Sequence, residues 1–210
     1  MKYKVYLFDF DYTLANSEVG IVKCFELLLA QENYPIRPKE EIKRTIGMPM
    51  VEALAVLTGE QDRRLLQELK NKYTVFADLY MTDNTVLFPE TIPMLKRLHE
   101  ARVKVGIISS KTRRRIMQTL TRDDICKFVD FVKGSEDVKT FKPSPEGILS
   151  AIEYFGVAKE EVLYIGDNVI DAKAAQNAQV DFAGVLTGND CKENFKSLPH
   201  IKIMQNLSEL

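Results

Sequence analysis

Apolar positions along this chain follow two rhythms. The run Val5, Tyr6, Leu7 and Phe8 is apolar without alternation, as expected of a strand covered on both faces. From Phe88 and Pro89 onward, apolar strand-like runs alternate with helical periodicity, which predicts a doubly wound parallel sheet. The strands are expected at Val103–Ile108, Phe128–Val132, Val162–Ile165 and Val180–Val185, with a short edge strand at Ile201–Met204. The intervening helices are expected at Thr91–Glu100, Arg113–Leu120, Pro145–Tyr154 and Asn168–Asn177.

Between Asn16 and Asp83 the pattern reads as helix after helix with no convincing strand. Ser17 can cap a helix carrying Val22, Phe25, Leu28 and Leu29 that ends near Pro35. Pro38 can start a second that stops at Gly47, and Val51–Leu57 and Leu65–Tyr80 supply two further apolar stripes. A crossover between parallel strands needs only about a dozen residues, so this insertion forms a domain of its own. The expected division is a core of residues 1–15 and 84–210 with a helical domain at 16–83.

Polar residues at the strand ends carry the candidate chemistry. The first strand runs into Asp9 and Asp11, and the carboxyl ends of strands in open α/β sheets are where ligands bind. Acids at the end of a buried strand are costly unless a cation meets them, and a hard divalent ion such as Mg2+ suits carboxylates, a carbonyl and waters. Taken alone, the pair fits two solvated loop acids equally well. Three later apolar runs end in groups that phosphoryl chemistry would require: the hydroxyls of Ser109 and Ser110, just before Lys111; Lys142 before Pro143; and Gly166, Asp167 and Asp171. The spacing of Asp167 and Asp171 is expected to set both on one face of a first helical turn.

In that order, the D-x-D-x-T of Asp9–Thr13, the strand-end Ser109, the Lys142-Pro143 pair and the G-D-x-x-x-D of Gly166–Asp171 resemble the haloacid dehalogenase superfamily. The branch they resemble is that of the phosphoglycolate phosphatase-like enzymes, and the likeness covers nearly the whole chain. Two departures affect local backbone: Tyr12 stands where many relatives have glycine, and Ala178-Gln179 replaces a frequent Ala-Gly pair. The resemblance implies a Rossmann-like α/β core with an inserted helical cap that closes over the active site. It also implies an Mg2+-dependent phosphatase acting on a small phosphorylated metabolite.

By motif position, the resemblance makes Asp9 the nucleophile, forming an aspartyl-phosphate, and Asp11 the general acid and base. Ser109 would hydrogen-bond a phosphoryl oxygen, aided by backbone N–H groups near Phe10, Asp11 and Ser110, and Lys142 would hold the phosphoryl group beside Asp9. Asp9, Asp11 and Asp167 would serve the metal, with Asp171 orienting metal-bound water or Lys142. Gly47 and Met48 resemble the cap loop that reaches toward substrate, though Gly-x-Pro is also a plain interhelical turn; Lys43 and Arg44 could meet a substrate carboxylate. A phosphosugar mutase keeps the same two acids and stays open as an alternative, as does a non-catalytic relative that binds phosphate or a protein.

The rest of the composition narrows the class. With 210 residues, 45% hydrophobic and 28% charged, the chain can bury a substantial core unaided. Its 29 basic and 30 acidic residues leave a net charge of −1, which argues against nucleic acid or an anionic membrane as partner. The basic run from Lys111 to Arg115 reads as a solvated helix start that could attract an anionic substrate. No signal-peptide pattern precedes the first strand, so a cytoplasmic location is expected, as monomer or homodimer. Cys24, Cys126 and Cys191 are odd in number and unpaired in spacing, hence reduced thiols; His99 and His200 are isolated and expected to be non-catalytic.

Overall fold

The computed structural model describes residues 2–210, so residue 1 of the expected core lies outside it. The chain divides into two compact units, one of Met1–Ala15 with Leu87–Leu210 and one of Asn16–Val86. β1 (Val5–Phe8) opens the first unit, and β2 (Ala15–Asn16) falls at the first passage between the units. The second unit then holds α1 (Glu18–Gln31), α2 (Lys39–Lys43), α3 (Met50–Thr58) and α4 (Arg63–Tyr80). β3 (Val86–Leu87), at the return passage, forms a two-stranded sheet with β2.

Thereafter the first unit alternates: α5 (Thr91–Glu100), β4 (Lys104–Ile108), α6 (Arg113–Arg122), β5 (Phe131–Lys133), α7 (Glu146–Phe155), β6 (Val162–Gly166), α8 (Val169–Ala178), β7 (Asp181–Val185), α9 (Lys192–Phe195) and β8 (Lys202–Met204). The six long-range strands form one parallel sheet in the order β5-β4-β1-β6-β7-β8. β1 is central, with Val5 opposite Lys104 on one side and Val162 on the other. The chain leaves β1 toward β4 and β5, then crosses back to β6. That reversal is the switch point at which doubly wound sheets open a crevice.

Alternation along β1 assigns its side chains to opposite layers. Tyr6 and Phe8 pack with Met94, Leu95 and Leu98 of α5 and with Ile116 and Leu120 of α6. Val5 and Leu7 pack on the other face with Ile148 of α7, the alanines of α8 and Phe195 of α9. The small residues Ala172, Ala174, Ala175 and Ala178 let α8 approach the sheet closely. All four β1 residues are buried, which accounts for the absence of polar alternation in that run.

In the second unit the helices pack on one another, with the rings of Phe25 in α1 and Tyr73 in α4 at 4.7 Å between centroids. Asp62 caps α4 by accepting from the Arg64 N–H, and Gly59 ends α3 in the left-handed region at φ +80°. Ser17 occupies the cap position of α1, but its hydroxyl makes no capping bond; the Asn16 side chain accepts from the Glu18 N–H instead. The expected second helix is shorter than its pattern: α2 ends at Lys43, and a turn carries the chain to Gly47.

One strand is displaced. Phe128 belongs to a 3₁₀ turn, Cys126–Phe128, and pairing begins only at Phe131 opposite Gly106. Asp130 explains the delay, because its carboxylate accepts from the Val105 N–H and the Lys104 ammonium. Among the described residues no helix is long and apolar enough to cross a membrane. Cys24 is buried, Cys126 half-buried and Cys191 exposed.

Candidate active site

Four loops at the carboxyl ends of β1, β4 and β6 and before α7 supply the polar side chains. After β1 the backbone turns sharply: Tyr12 takes φ +60°, and the Phe10 carbonyl accepts from the N–H groups of Leu14 and Ala15. A glycine would adopt that φ without strain, which gives the Tyr12 departure its physical meaning. The turn leaves Asp9 and Asp11 3% and 8% exposed.

Asp9, Asp167 and Asp171 converge, each offering a carboxylate oxygen within 4.8 Å of the others, and all three are buried. Asp167 lies before α8, whose first residue is Val169, so the two acids do not share a helical turn as their spacing suggested. They meet for another reason. Asp171 folds back to accept from the Asn168 N–H, and Gly166 makes room: a Cβ there would lie 2.4 Å from Asp171 Oδ2. Gly188 does the same for Asp167, since its Cβ would fall 1.9 Å from Oδ2. Thr13 donates its hydroxyl to Asp167 Oδ1 at 3.1 Å.

Lys142 is the cation of this group. Its ammonium donates to Asp171 Oδ1 at 2.6 Å and to the Tyr164 hydroxyl at 3.2 Å, and lies 3.0 Å from Asp9 Oδ1. The loop that carries it is tied to α8 by the Asn177 side-chain amide, which donates to the Pro143 carbonyl. The Lys142–Pro143 peptide is cis.

Electrostatics follow from burial. Desolvation raises the Asp9 pKa from 3.8 to about 6, against the lowering effect of Lys142. Desolvation likewise raises Asp167 well above its ordinary value, with repulsion from Asp171 and Asp9 adding to it. For Lys142 burial works toward a lower pKa, but the carboxylates of Asp171 and Asp9 outweigh it and hold the ammonium well above its ordinary value.

Three buried carboxylates against one ammonium leave a deficit of positive charge. Asp9 Oδ1 is moreover a buried oxygen without an aligned hydrogen-bond donor among the described residues. A divalent cation with oxygen preference fits both observations. The Asp11 carboxylate is not one of the convergent trio; its Oδ1 pairs with Lys111 Nζ at 2.9 Å.

Ser109 is buried at the end of β4, and its hydroxyl accepts from the Lys111 N–H at 3.2 Å. Phe10 is fully buried beside Asp9, while Ser110 is half-buried. Gly47 and Met48 lie in the second unit, in the turn between α2 and α3, with Gly47 at φ +94°. Lys43, considered as an anion binder, is engaged by Glu18 at 3.0 Å and Glu40 at 2.9 Å. The basic run is not uniformly solvated either: the Lys111 side chain is 7% exposed, and Arg115 is buried. His99 packs edge-on to Phe128, and the His200 Nδ1 meets the Leu198 carbonyl, so neither joins the site.

Sequence patterns missed two contributors. Tyr164 reads as one more apolar strand residue, yet its hydroxyl lies 3.1 Å from both Asp171 Oδ1 and the Ile108 carbonyl, beneath Lys142. The loop after β7 also approaches: Thr187 donates to the Tyr12 carbonyl, and Asp190 accepts from the Val169 N–H at the start of α8. A T-G-N-D run just past a strand end was the signal available for it.

Comparison with known proteins identifies the family of the chain. The family model described as haloacid dehalogenase-like hydrolase matches residues 6–185. A phosphoglycolate phosphatase of Photorhabdus laumondii is 31% identical over 207 residues, covering 97% of this chain and 88% of its own. The pyrophosphatase PpaX of Listeria monocytogenes serotype 4a is 30% identical over 206 residues, covering 97% of this chain and 93% of its own. A crystal structure of a haloacid dehalogenase-like hydrolase from Bacteroides fragilis superposes with a TM-score of 0.96 at 43% identity, covering 99% of both chains. The chain therefore belongs to the haloacid dehalogenase-like hydrolases, among relatives that are phosphatases.

Proposed function

We propose that this protein is an Mg2+-dependent phosphatase that cleaves a small phosphate monoester of the phosphoglycolate type through an aspartyl-phosphate on Asp9. The observation that carries the reading is the convergence of Asp9, Asp167 and Asp171 within 4.8 Å of one another beside Lys142, at the carboxyl ends of the central strands. Asp9, Asp167 and Asp171 would hold the cation, which when bound supplies positive charge opposite the phosphoryl oxygens.

The chemistry assigned to the chain's own groups balances in two steps. An Asp9 carboxylate oxygen bonds to phosphorus as the ester P–O bond breaks, and Asp11 gives its proton to the departing oxygen. Water then attacks the same phosphorus, Asp11 takes the water's proton, and Asp9 is released with inorganic phosphate. A carboxylate approaching a phosphate dianion meets repulsion of roughly 4 kcal/mol per charge pair at about 4 Å and an effective dielectric of 20. Lys142 opposes that repulsion, and Ser109 donates to a phosphoryl oxygen.

The helical unit, with Gly47 and Met48, is assigned the choice of ester on family resemblance. The test is release of inorganic phosphate from p-nitrophenyl phosphate and from a panel containing phosphoglycolate, pyrophosphate and sugar phosphates, with Mg2+ or with EDTA. Turnover should require Mg2+ and vanish in Asp9→Asn. Equal turnover by that variant would reject the nucleophile assignment.

A further inference from the structure

Lys111, which the sequence offers only as the start of a solvated basic run, takes no part in the two steps above, yet it is built into the site. Its Nζ sits 2.9 Å from Asp11 Oδ1, with the two side chains 7% and 9% exposed. Its backbone is held on both sides: the N–H donates to Ser109 Oγ at 3.2 Å, and the carbonyl accepts from the Ser135 N–H at 3.1 Å. The ammonium also lies 5.8 Å from the centre of the Phe10 ring. One residue thus bonds the strand-end hydroxyl through its main chain and the second acid through its side chain.

Burying a lysine forfeits hydration and rotamer freedom, so a lysine that serves only solubility would extend into water. An ammonium bonded to one carboxylate oxygen restrains rotation of the whole carboxylate, and the edge it presents becomes fixed. Proton transfer depends on that orientation, because a general acid works only within hydrogen-bond reach of the departing oxygen.

We propose that Lys111 is a positioning residue that fixes the Asp11 carboxylate for proton donation to the leaving group, an inference that rests on the phosphatase reading above. It predicts a dependence on the leaving group that a merely structural ion pair would not produce. Phenyl phosphate and p-nitrophenyl phosphate are nearly alike in shape, but p-nitrophenolate departs without a proton whereas phenolate needs help.

The experiment compares kcat/KM for these two esters in wild type and Lys111→Met, with Mg2+ present. Because kcat/KM reports formation of the phosphorylated enzyme, and both esters are assayed on one preparation, the ratio does not depend on how much of the protein is folded. The phenyl to p-nitrophenyl ratio should fall by about tenfold or more, a part of the 10²–10⁴ typical of general acid catalysis. Lys111→Gln, whose uncharged amide ends one bond short of the ammonium it replaces, serves as the second variant and should lower the ratio in the same direction. An unchanged ratio in an active variant, whatever its absolute loss, overturns the role of Lys111 alone. Wild-type protein that releases phosphate from neither ester overturns the phosphatase reading, and this role with it.

Discussion

Lys142 Nζ stands 2.6 Å from Asp171 Oδ1, with the two side chains 8% and 1% exposed. Removing one partner of a buried pair strands the other charge, at a typical cost of about 3–5 kcal/mol. Lys142→Met should therefore lose about that much stability, because Asp9 and Asp171 would remain buried without their cation. Urea unfolding measures it, and a loss below about 1 kcal/mol would contradict the pairing.

Asp9 predicts a pH dependence whose sign is opposite to that of an ordinary salt-bridged acid. Its folded pKa, about 6 against 3.8 unfolded, means the native state binds the proton more tightly. Between those values stability falls as pH rises, and ionised Asp9 costs on the order of 3 kcal/mol above the window. In EDTA, Asp9→Asn should be more stable than wild type at pH 7, and the gap should close as pH falls from 6 to 4. A gap independent of pH would show that Asp9 is not desolvated. Millimolar Mg2+ at pH 7 should stabilise wild type and not the variant.

Gly188 predicts a loss of cation affinity with the fold retained. A methyl group there would lie 1.9 Å from Asp167 Oδ2, so Gly188→Ala must push the carboxylate out of the convergent trio. Calorimetric titration should show Mg2+ binding weakened by about 10–100-fold, the usual penalty for disturbing the support of a metal ligand. Unaltered affinity would mean that Asp167 is not a ligand.

Gln179 predicts a gain. It ends α8 at φ +62° and ψ 42°, a conformation that costs a side-chain-bearing residue about 1–2 kcal/mol and glycine almost nothing. Against this stand the greater flexibility glycine gives the unfolded chain and the exposed bond from Lys159 to the Gln179 side chain. Gln179→Gly should net up to about 1 kcal/mol, read as a rise in Tm of roughly 1–4 °C.

The parts of this molecule legible from sequence are those in which one residue type has one physical use. An unbroken apolar run needs two covered faces, so β1, β4 and β6 were evident, and the polar residues just beyond them marked Asp9, Ser109 and Asp167. What depends on contacts between distant segments was not legible. Lys111 belongs to a basic run that reads as solvated, and only the fold brings it to Asp11, 100 residues earlier. Tyr164 was hidden for the converse reason: a polar atom on a ring that otherwise behaves as core. The start of β5 was misplaced because Val129 and Phe131 favour a strand by composition, while the Asp130 carboxylate takes the backbone donor that pairing at that point would have used.

The central place of β1 imposes an order of events during synthesis. Residues 5–8 are made among the first, yet their two neighbours in the sheet are Lys104–Ile107 and Val162–Ile165. A ribosome-bound chain that has emerged only as far as residue 160 therefore lacks the strand that covers one edge of β1. Competence arrives late, when the final quarter of the polypeptide sets its strand beside residues 5–8.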